Sequence, residues 1–511
     1  MAEDCKKLTN NKRIAKNTLL LYVRMLFTMC ISLYTSRIVL DTLGIEDYGI
    51  YNVVGGIVAL FSFITASMTQ SIQRFITFEL GKGEDGNPQK MFSMGIQLQV
   101  IISVIIVLLL EIIGLWMLYN KLQIPPNRLN AAFWVLQCSA IMVPISLLSS
   151  PYNALIVAHE KMQAFAYISI VEVVLKLLIV YALLISNVDK LILYGALNVL
   201  VVICTRVCYT LYCSKNIKES CYIPVRDWGA MKKMISFAEW NMYGALSYVG
   251  FTQGLNILLN LFFNPAVNAA RSIAVQVQAN IYSFVANFQT AINPQITKTY
   301  AEGELAQMHS LVYRSAKFSF LLLFMLSFPV ITEAPTVLVL WLKTVPEHTV
   351  VFVRIIIITS WITTIENPLT IAAQSTGYIK KYLFVVSTAR LVIVPIAYIL
   401  LRNGLPAYSV FIVHLIIEFI VLGIRLMIVS PLIQLSIKEF LYKVAYKVSL
   451  VVALSAAIIL SLQSLVGQCI FRLLLICLAA LLTVPALSYY LSFDNVERSF
   501  VRQIVRKILH K

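Results

Sequence analysis

Of the ionisable side chains within or at the ends of strongly apolar segments of the sequence, seven are candidates for a functional role. They are Arg24, Arg37, Arg74, Arg271, Arg390, Glu366 and Glu418. An ionised side chain inside a membrane costs at least about 3 kcal/mol, so each of these residues needs a partner or a role. A guanidinium group offers planar, bidentate donors that match a phosphate. The arginines are therefore candidate ligands for an anionic substrate, and the glutamates are candidates for ion coupling or charge pairing.

Arg390 and Glu418 fall near the middles of two successive apolar segments, which leaves two interpretations open. Either they pair with each other across a helical hairpin, or Arg390 faces a cavity and Glu418 positions it. Glu366 stands two residues before Pro368. A proline inside a helix frees a backbone carbonyl and bends the axis. Glu366 is thus a candidate for ion or proton coupling, with an arginine partner as the alternative.

The remaining arginines differ in their depth along the predicted helices. Arg24 lies too deep in the first helix to reach the membrane interface easily, whereas Arg37 lies near the outer end and can reach it. At about 100° per residue the two fall on different faces, roughly 20 Å apart along the axis. They would supply charge at two levels of a tall cavity. Arg74 and Arg271 lie at opposite ends of their helices, so each fits an interface anchor as well as a ligand.

The sequence lacks the patterns of several other chemistries. Its nine cysteines form no CxxC pair and its five histidines stand alone, so we expect no metal site and no disulfide framework. The glycine-rich stretch at 81–86 lacks the Gly-Lys-Ser/Thr ending of a phosphate-binding loop. No catalytic triad or paired carboxylates appear outside the apolar segments. We therefore expect a protein that is not an enzyme and needs no cofactor.

Composition places the chain in a membrane. Of its 511 residues, 59% are hydrophobic and 13% are charged. About fourteen segments are long enough to span a bilayer as helices, including single segments at 311–340 and 378–402. The net charge of +17 comes from basic residues between these segments, so it indicates topology and not nucleic-acid binding. Because lysines and arginines cluster in alternate connections, both termini are predicted to be cytoplasmic.

Two parts of the sequence resemble each other at a nearly constant offset. Ile72, Ile76, Thr77, Gly83 and Glu84 correspond to Ile292, Ile296, Thr297, Gly303 and Glu304 (304 − 84 = 220). Pro151 corresponds to Pro368 (368 − 151 = 217), which makes these two prolines candidate hinges. Repeats of several helices are typical of transporters, whose two halves enclose a central site. The repeat predicts an all-α polytopic membrane protein with two pseudo-symmetric six-helix lobes around a central cavity.

The repeat and the spans together predict the domain organisation. Residues 1–213 form the N-lobe with six helices, and residues 214–233 form a basic cytoplasmic linker. Residues 234–430 form the C-lobe with six more helices. Residues 431–511 hold two extra helices without a counterpart in the repeat, followed by a basic tail.

A motif at the end of the first predicted helix resembles a known family. The stretch from Ser36 to Tyr51 reads Ser-Arg-Ile-Val-Leu-Asp-Thr-Leu-Gly-Ile-Glu-Asp-Tyr-Gly-Ile-Tyr. This pattern, together with Arg74, resembles the bacterial polysaccharide flippases of O-antigen, capsule and exopolysaccharide pathways. They belong to the multidrug/oligosaccharidyl-lipid/polysaccharide (MOP) superfamily, which also contains the MATE drug exporters.

The resemblance implies a function for the chain. It implies export of an undecaprenyl-diphosphate-linked oligosaccharide from the cytoplasmic to the periplasmic leaflet, through a cationic cavity and by alternating access. The expected setting is the bacterial cytoplasmic membrane, as a monomer among membrane lipids, with a polysaccharide polymerase and a chain-length regulator as partners. A diphosphate carries roughly two negative charges, and each gains about 2.3 kcal/mol per 100 mV on moving outward. The membrane potential could therefore drive transport. Coupling to H⁺ or Na⁺ is the alternative.

Two other functions stay open. A MATE-type drug or cation antiporter shares the expected fold, but such a protein is expected to carry an acidic residue in its first helix, where this chain has Arg24 and Arg37. A membrane glycan polymerase or ligase would use the same lipid-linked substrate. Those enzymes generally need a large outer loop, and every predicted connection here is short.

Overall fold

The computed structural model describes most of the chain. It covers residues 17–499 apart from 33, 36–37, 40–41, 45–46, 48–49, 52–53, 56–60, 121–123, 264, 343–344, 468 and 496. Arg37 therefore lies outside the described residues, as do Ser36, Tyr48 and Gly49 of the motif. Gly44 of the same motif is described, and its φ of 81° lies in the left-handed region that favours glycine.

All regular structure in the described ranges is helical, and the chain divides into two compact units. The first unit is Lys16–Met242. Its helices are α1 (Asn17–Ser32), α2 (Ser62–Gly81), α3 (Pro88–Leu109), α4 (Leu115–Asn120), α5 (Leu129–Ala158), α6 (Met162–Ile185), α7 (Lys190–Asn216) and the start of α8 (Trp228–Phe262). Within this unit α5 is central, because it packs against α2, α3 and α7.

The second unit contains Tyr243–Lys511. Its further helices are α9 (Pro265–Ala301), α10 (Leu305–Thr332), α11 (Ala334–Leu342), α12 (Thr349–Thr376), α13 (Lys380–Leu391), α14 (Ile393–Arg402), α15 (Ser409–Ile433), α16 (Ile437–Phe440), α17 (Lys447–Leu465) and α18 (Ile470–Leu487). Here α12 is central and packs against α9, α10 and α15. The predicted domain boundaries at 213, 233 and 430 stay predictions.

Local sequence explains where several helices begin and end. Asn87 caps α3 by accepting a hydrogen bond from the backbone N–H of Lys90 at 2.9 Å, with Pro88 as the first helical residue. Asp189 caps α7 in the same way, through the backbone N–H of Leu191 at 3.0 Å. The end of α12 is set by Gly377, whose φ of 80° stops the helix.

The surface of these helices is that of a multi-pass membrane protein. Ten helical segments in the described ranges are long and apolar enough to cross a membrane. One face of α3 leaves Val100, Ile101, Val104 and Ile105 between 44% and 55% exposed. Such a continuous apolar face is stable against lipid and costly in water. The fold class is therefore the predicted one, while the number fourteen stays a prediction.

Two predicted segments are interrupted in the structure. The segment 311–340 is two helices, because α10 ends before Glu333 and α11 starts after it. The segment 378–402 is also two helices, which meet at Val392. Pro395 follows three residues later and cannot donate to the helix, which accounts for this break.

The two candidate hinge prolines lie inside continuous helices. Pro151 is buried within α5 and Pro368 is buried within α12. Pro368 removes the usual donor for the carbonyl of Thr364, four residues earlier. That carbonyl accepts a hydrogen bond from Gln289 Nε2 at 3.2 Å instead. The backbone is thus satisfied at this proline, and the hinge roles stay predictions.

Candidate functional sites

A cluster of charged side chains joins three helices of the second unit. Glu366 comes from α12, Arg390 from α13, and Glu418 and Arg425 from α15. The side chains of Glu366, Glu418 and Arg425 are 2–3% exposed, whereas that of Arg390 is 20% exposed. Buried charges of this kind require partners, and each of these residues has one.

Arg390 is held by both carboxylates. Its Nε donates to Glu418 Oε1 at 2.8 Å, and its Nη2 donates to Glu418 Oε2 at 2.9 Å and to Glu366 Oε2 at 2.8 Å. Of the two interpretations of Arg390 and Glu418, the structure shows the one in which they pair with each other. Glu366 pairs with an arginine, which was the alternative to ion coupling. A guanidinium bound by two carboxylates supplies no free positive charge to a substrate. The assignment of Arg390 as a substrate ligand stays a prediction that this pairing weakens.

Arg425 completes the cluster and is absent from the residues chosen from the sequence. Its Nη2 donates to Glu366 Oε2 at 2.9 Å, and its Nη1 donates to Thr370 Oγ1 and Tyr382 OH. His414, one turn before Glu418, has Nε2 at 3.3 Å from Glu418 Oε1. The formal charges of the two arginines and the two glutamates in the cluster sum to zero.

A helical spacing in the sequence could have revealed Arg425. His414, Glu418 and Arg425 stand at intervals of four and seven residues (418 − 414 = 4; 425 − 418 = 7). These intervals place all three on one face of an α-helix. Polar residues that share one face of an otherwise apolar helix indicate a buried polar contact.

Arg271 differs from the cluster because it has no acidic partner. It is 9% exposed, and its Nη2 donates to the carbonyl oxygen of Thr252 at 3.0 Å. Its Nη1 donates to Asn256 Oδ1. No carboxylate in the described part of the chain bonds to this guanidinium. Of the predicted arginines in the second unit, Arg271 is thus the one whose charge is uncompensated there.

The predicted arginines of the first unit pack against aromatic rings. The guanidinium of Arg24 lies 4.6 Å from the ring centroid of Phe165, with Nη1 at 3.5 Å from Ser169 Oγ. The guanidinium of Arg74 lies 4.6 Å from Phe75 and 4.7 Å from Phe78. Such cation–π contacts hold a guanidinium without neutralising it. The roles of Arg24 and Arg74 as substrate ligands stay predictions.

The first unit also holds a cavity lined by hydroxyl and amide groups. Its volume is about 490 Å³. Its polar lining consists of Thr65, Thr69, Ser139, Ser146, Ser149, Ser150 and Asn153, and its aromatic lining consists of Tyr51, Phe61 and Tyr209. None of these described lining residues is charged. None of its serines and threonines was a candidate from the sequence, because serines and threonines in apolar helices mostly bond to their own backbone.

Some of these polar side chains already form hydrogen bonds within the protein, and others form none with a described residue. Thr69 Oγ1 and Ser150 Oγ are 2.6 Å apart, and Ser149 Oγ donates to the carbonyl oxygen of Ile145 at 2.7 Å. Ser146 and Asn153 make no hydrogen bond with any residue that the structure describes. The cavity therefore presents both donors and acceptors to a ligand.

Comparison with known proteins defines the fold. No family model and no curated protein match the sequence. A MATE multidrug-resistance transporter of the MOP superfamily, in an outward-facing conformation, matches with a TM-score of 0.70 at 15% identity, over 83% of this chain and 96% of that chain. The MATE transporter ClbM in complex with Rb⁺ matches with a TM-score of 0.66 at 14% identity, over 84% and 96%.

A third solved structure shows that this fold accommodates different pockets. It is a MOP-superfamily transporter from Pyrococcus furiosus, described as having a binding pocket of reverse polarity, with a TM-score of 0.67 at 15% identity, over 83% of this chain and 96% of that chain. At these identities the likeness establishes that the chain has the fold of these transporters. The substrate has to be inferred from the chain's own residues.

Proposed function

We propose that this protein is a flippase that moves an undecaprenyl-diphosphate-linked oligosaccharide from the cytoplasmic to the periplasmic leaflet of the bacterial cytoplasmic membrane. It works by alternating access and serves the synthesis of a surface polysaccharide, together with a polymerase and a chain-length regulator. The fold of MATE and other MOP transporters supports the transport mechanism. The motif at 36–51 supports the choice of substrate.

The observation that carries the proposal is the hydroxyl-lined cavity of the first unit. A sugar offers many hydroxyl groups and apolar ring faces, and it is recognised by convergent hydrogen-bonding groups beside aromatic rings. Ser146 and Asn153 supply such groups, and Tyr51, Phe61 and Tyr209 supply the rings. At about 490 Å³ the cavity falls within the range of ligand sites. It accommodates part of an oligosaccharide, with the remainder outside it.

The predicted arginines other than Arg390 are the proposed ligands of the diphosphate. Arg271 is the strongest of them, because its buried guanidinium bonds only to neutral oxygens in the described chain. Arg24 and Arg74 lie against aromatic rings, and a guanidinium group matches a phosphate in geometry. Arg37 is retained as a further ligand from the motif alone.

A MATE-type cation exporter is the second candidate, because ClbM, which is similar in fold, is seen in complex with Rb⁺. A site for a cation needs a carboxylate or several carbonyl oxygens. No carboxylate occurs among the described residues that line the 490 Å³ cavity. In the second unit, Glu366 and Glu418 already bind arginines. These features favour a neutral polar ligand in the cavity.

The test combines gene deletion with a cavity variant. Deletion is expected to cause accumulation of an undecaprenyl-diphosphate-linked oligosaccharide, which extraction and mass spectrometry of lipids would identify. Asn153→Leu keeps the side-chain volume and removes the amide, so complementation should restore several-fold less surface glycan at normal protein level. Ser461→Ala is the matched control, since Ser461 is exposed on α17 and bonds only to its own helix. Normal lipid-linked sugars together with drug hypersensitivity in the deletion strain would favour the exporter instead.

A further inference from the structure

A second concave surface of the first unit lies outside the hydroxyl-lined cavity. It is a groove of about 770 Å³ where α3, α7, the connection at 217–227 and the start of α8 meet. Its polar lining includes Arg206, Arg226, Gln97 and Tyr222. The connection is fixed over α3, because Gln97 Nε2 donates to Tyr222 OH at 3.2 Å and the backbone N–H of Ile223 donates to Ser93 Oγ at 3.0 Å. The groove is therefore a built feature of this unit.

Arg206 lines the groove and has no counter-ion among the residues that the structure describes. Its guanidinium stacks over the ring of Tyr152 at 4.4 Å. Its Nη1 is buried and has no hydrogen-bond partner in the described chain, and no described carboxylate pairs with it. Arg206 precedes the end of α7 by ten residues (216 − 206 = 10), which is about 15 Å of helix. At that depth in a membrane, an uncompensated charge requires an anionic partner.

Comparison with the second unit shows that Arg206 lacks the carboxylate partner of its counterpart. Arg206 is residue 17 of α7 (206 − 190 + 1 = 17), and Arg425 is residue 17 of α15 (425 − 409 + 1 = 17). Arg425 pairs with Glu366 at 2.9 Å. The offset between the two prolines places Ser149 at the position of Glu366 (366 − 217 = 149). The first unit thus keeps the arginine and replaces its carboxylate by a hydroxyl group.

The outer part of the groove adds a second free cation. Arg226 is exposed and has no ion pair with any described residue. The one acid of the lining, Asp227, is already used, because its Oδ2 accepts from Lys90 Nζ at 2.6 Å and its Oδ1 accepts from the backbone N–H of Ala230 at 2.9 Å. The Lys90 ammonium group and these backbone donors hold the pKa of Asp227 below its usual range. Two arginines therefore remain for an anion.

An apolar track leads away from the groove along α3. Val100 and Ile101 line the groove, and Val104, Ile105 and Leu108 continue the same face at 51–57% exposure. Trp228, at the rim, is 73% exposed, as is common for aromatic residues at the membrane interface. A ligand that fits both parts has an anionic head and a hydrocarbon chain.

We propose that this groove binds the phosphate headgroup of an anionic membrane lipid, with Arg206 and Arg226 holding the phosphate and the lipid chain lying along α3. The guanidinium groups supply charge-assisted, bidentate hydrogen bonds. The charge pattern predicts that the groove lies on the cytoplasmic side. The inference does not depend on the glycan substrate, because any phospholipid of the bilayer with a net negative headgroup meets these requirements.

Lipid retention by the purified full-length protein tests the proposal. The protein is exchanged into detergent with phosphatidylglycerol, with phosphatidylcholine, or with undecaprenyl phosphate, and native mass spectrometry counts the lipids retained. We expect phosphatidylglycerol to be retained in preference to phosphatidylcholine, and Arg206→Gln to lower that retention about tenfold. Arg226→Gln should lower it less, because Arg226 is exposed. Stronger retention of undecaprenyl phosphate than of phosphatidylglycerol would support the groove and identify its occupant as a polyprenyl lipid.

Matched controls keep the outcome interpretable. Lys215→Gln removes an exposed cation near the end of the same helix, α7, and should leave retention unchanged. Arg226 is exposed and has no ion pair with a described residue, so Arg226→Gln is expected to fold and to report on binding even if Arg206→Gln fails to fold. Equal retention of the two phospholipids, or wild-type retention by both arginine variants, would overturn the proposal. Displacement of the lipid by millimolar inorganic phosphate would do so as well, since it would show a site for a soluble anion.

Discussion

The same helix position carries an arginine in both units, yet the two arginines have different surroundings. In the second unit Arg425 is 3% exposed and pairs with Glu366, within a cluster whose charges cancel. In the first unit Arg206 has Tyr152 beneath it and no described carboxylate beside it. One copy of the repeat is thus neutralised within the protein, and the other leaves its charge available to a ligand.

This difference extends to the neighbouring positions of the repeat. Thr370, which bonds to Arg425, corresponds to Asn153 of the hydroxyl-lined cavity (370 − 217 = 153). Glu366 corresponds to Ser149, which lines the same cavity. Polar positions that stabilise the second unit therefore contact an open space in the first. A repeated helix block can diverge in this way, with one copy kept for stability and the other available for recognition.

Breaking the cluster should have the largest effect. Glu366→Gln leaves Arg425 and Arg390 without a shared acceptor, so we expect the folded protein to lose about 3–5 kcal/mol of stability. Thermal or chemical unfolding of the purified protein in detergent measures this loss. In the double variant Glu366→Gln/Arg425→Gln the loss should be smaller than the sum of the single losses. Additive losses would mean that the pair does not act as a unit; Lys443→Gln, in an exposed pair, is the control.

Introducing a carboxylate into the first unit, at the position that corresponds to Glu366, should have the second-largest effect. Ser149→Glu places an acid at the position of Glu366, in a cavity whose described lining has no charge. We expect surface glycan to fall at least about tenfold, because the carboxylate repels the diphosphate of the substrate. Ser149→Gln has nearly the same shape without the charge and should retain most of the activity. Similar activity of the two variants would contradict the proposed use of the cavity.

The membrane potential should bias flipping through the charge of the substrate. Because the cluster of the second unit has no net charge, its movement carries no charge across the field. The substrate diphosphate should then gain about 2.3 kcal/mol per charge per 100 mV on moving outward. Flipping of a labelled lipid-linked oligosaccharide in vesicles clamped at opposite potentials measures this bias. Equal rates at both polarities would show that no charge crosses the field.

The fold was predictable from the sequence to a greater extent than the sites were. Long apolar segments, short connections and the paired prolines Pro151 and Pro368 suffice for the fold class, because the bilayer fixes the length and type of each element. The predicted contact of Arg390 with Glu418 rested on their depth in adjacent segments. Arg206 and Arg425 were not chosen from the sequence. The offsets of 217 and 220 do not connect them (425 − 206 = 219), so their equivalence follows only from their equal positions in α7 and α15.

The cavity of the first unit could not be predicted from residue types. Serine and threonine are common in membrane helices, where they bond to the backbone four residues earlier, as Ser149 does to Ile145. Which hydroxyl groups face an open space depends on the packing of α2 against α5, and no local pattern records that packing. The positions of Asn153 and Ser146 on α5 indicate a cavity only when the residues of α2 that line its other side are known.

The smallest expected effect concerns the ion pair at the rim of the groove. Asp227 has a lowered pKa in the folded protein, so its contribution is present above the ordinary pKa of an aspartate and is lost as the pH falls through the lowered value. Asp227→Asn imitates that loss at neutral pH and frees Lys90. Retention of phosphatidylglycerol should then rise by about twofold or threefold, since an exposed charge at the rim acts through solvent. Asp494→Asn breaks a similar pair, with Lys447 at 2.7 Å, far along the chain in the second unit, and should leave retention unchanged. A fall in retention on Asp227→Asn would mean that the acid supports the connection at 217–227 more than it screens the arginines.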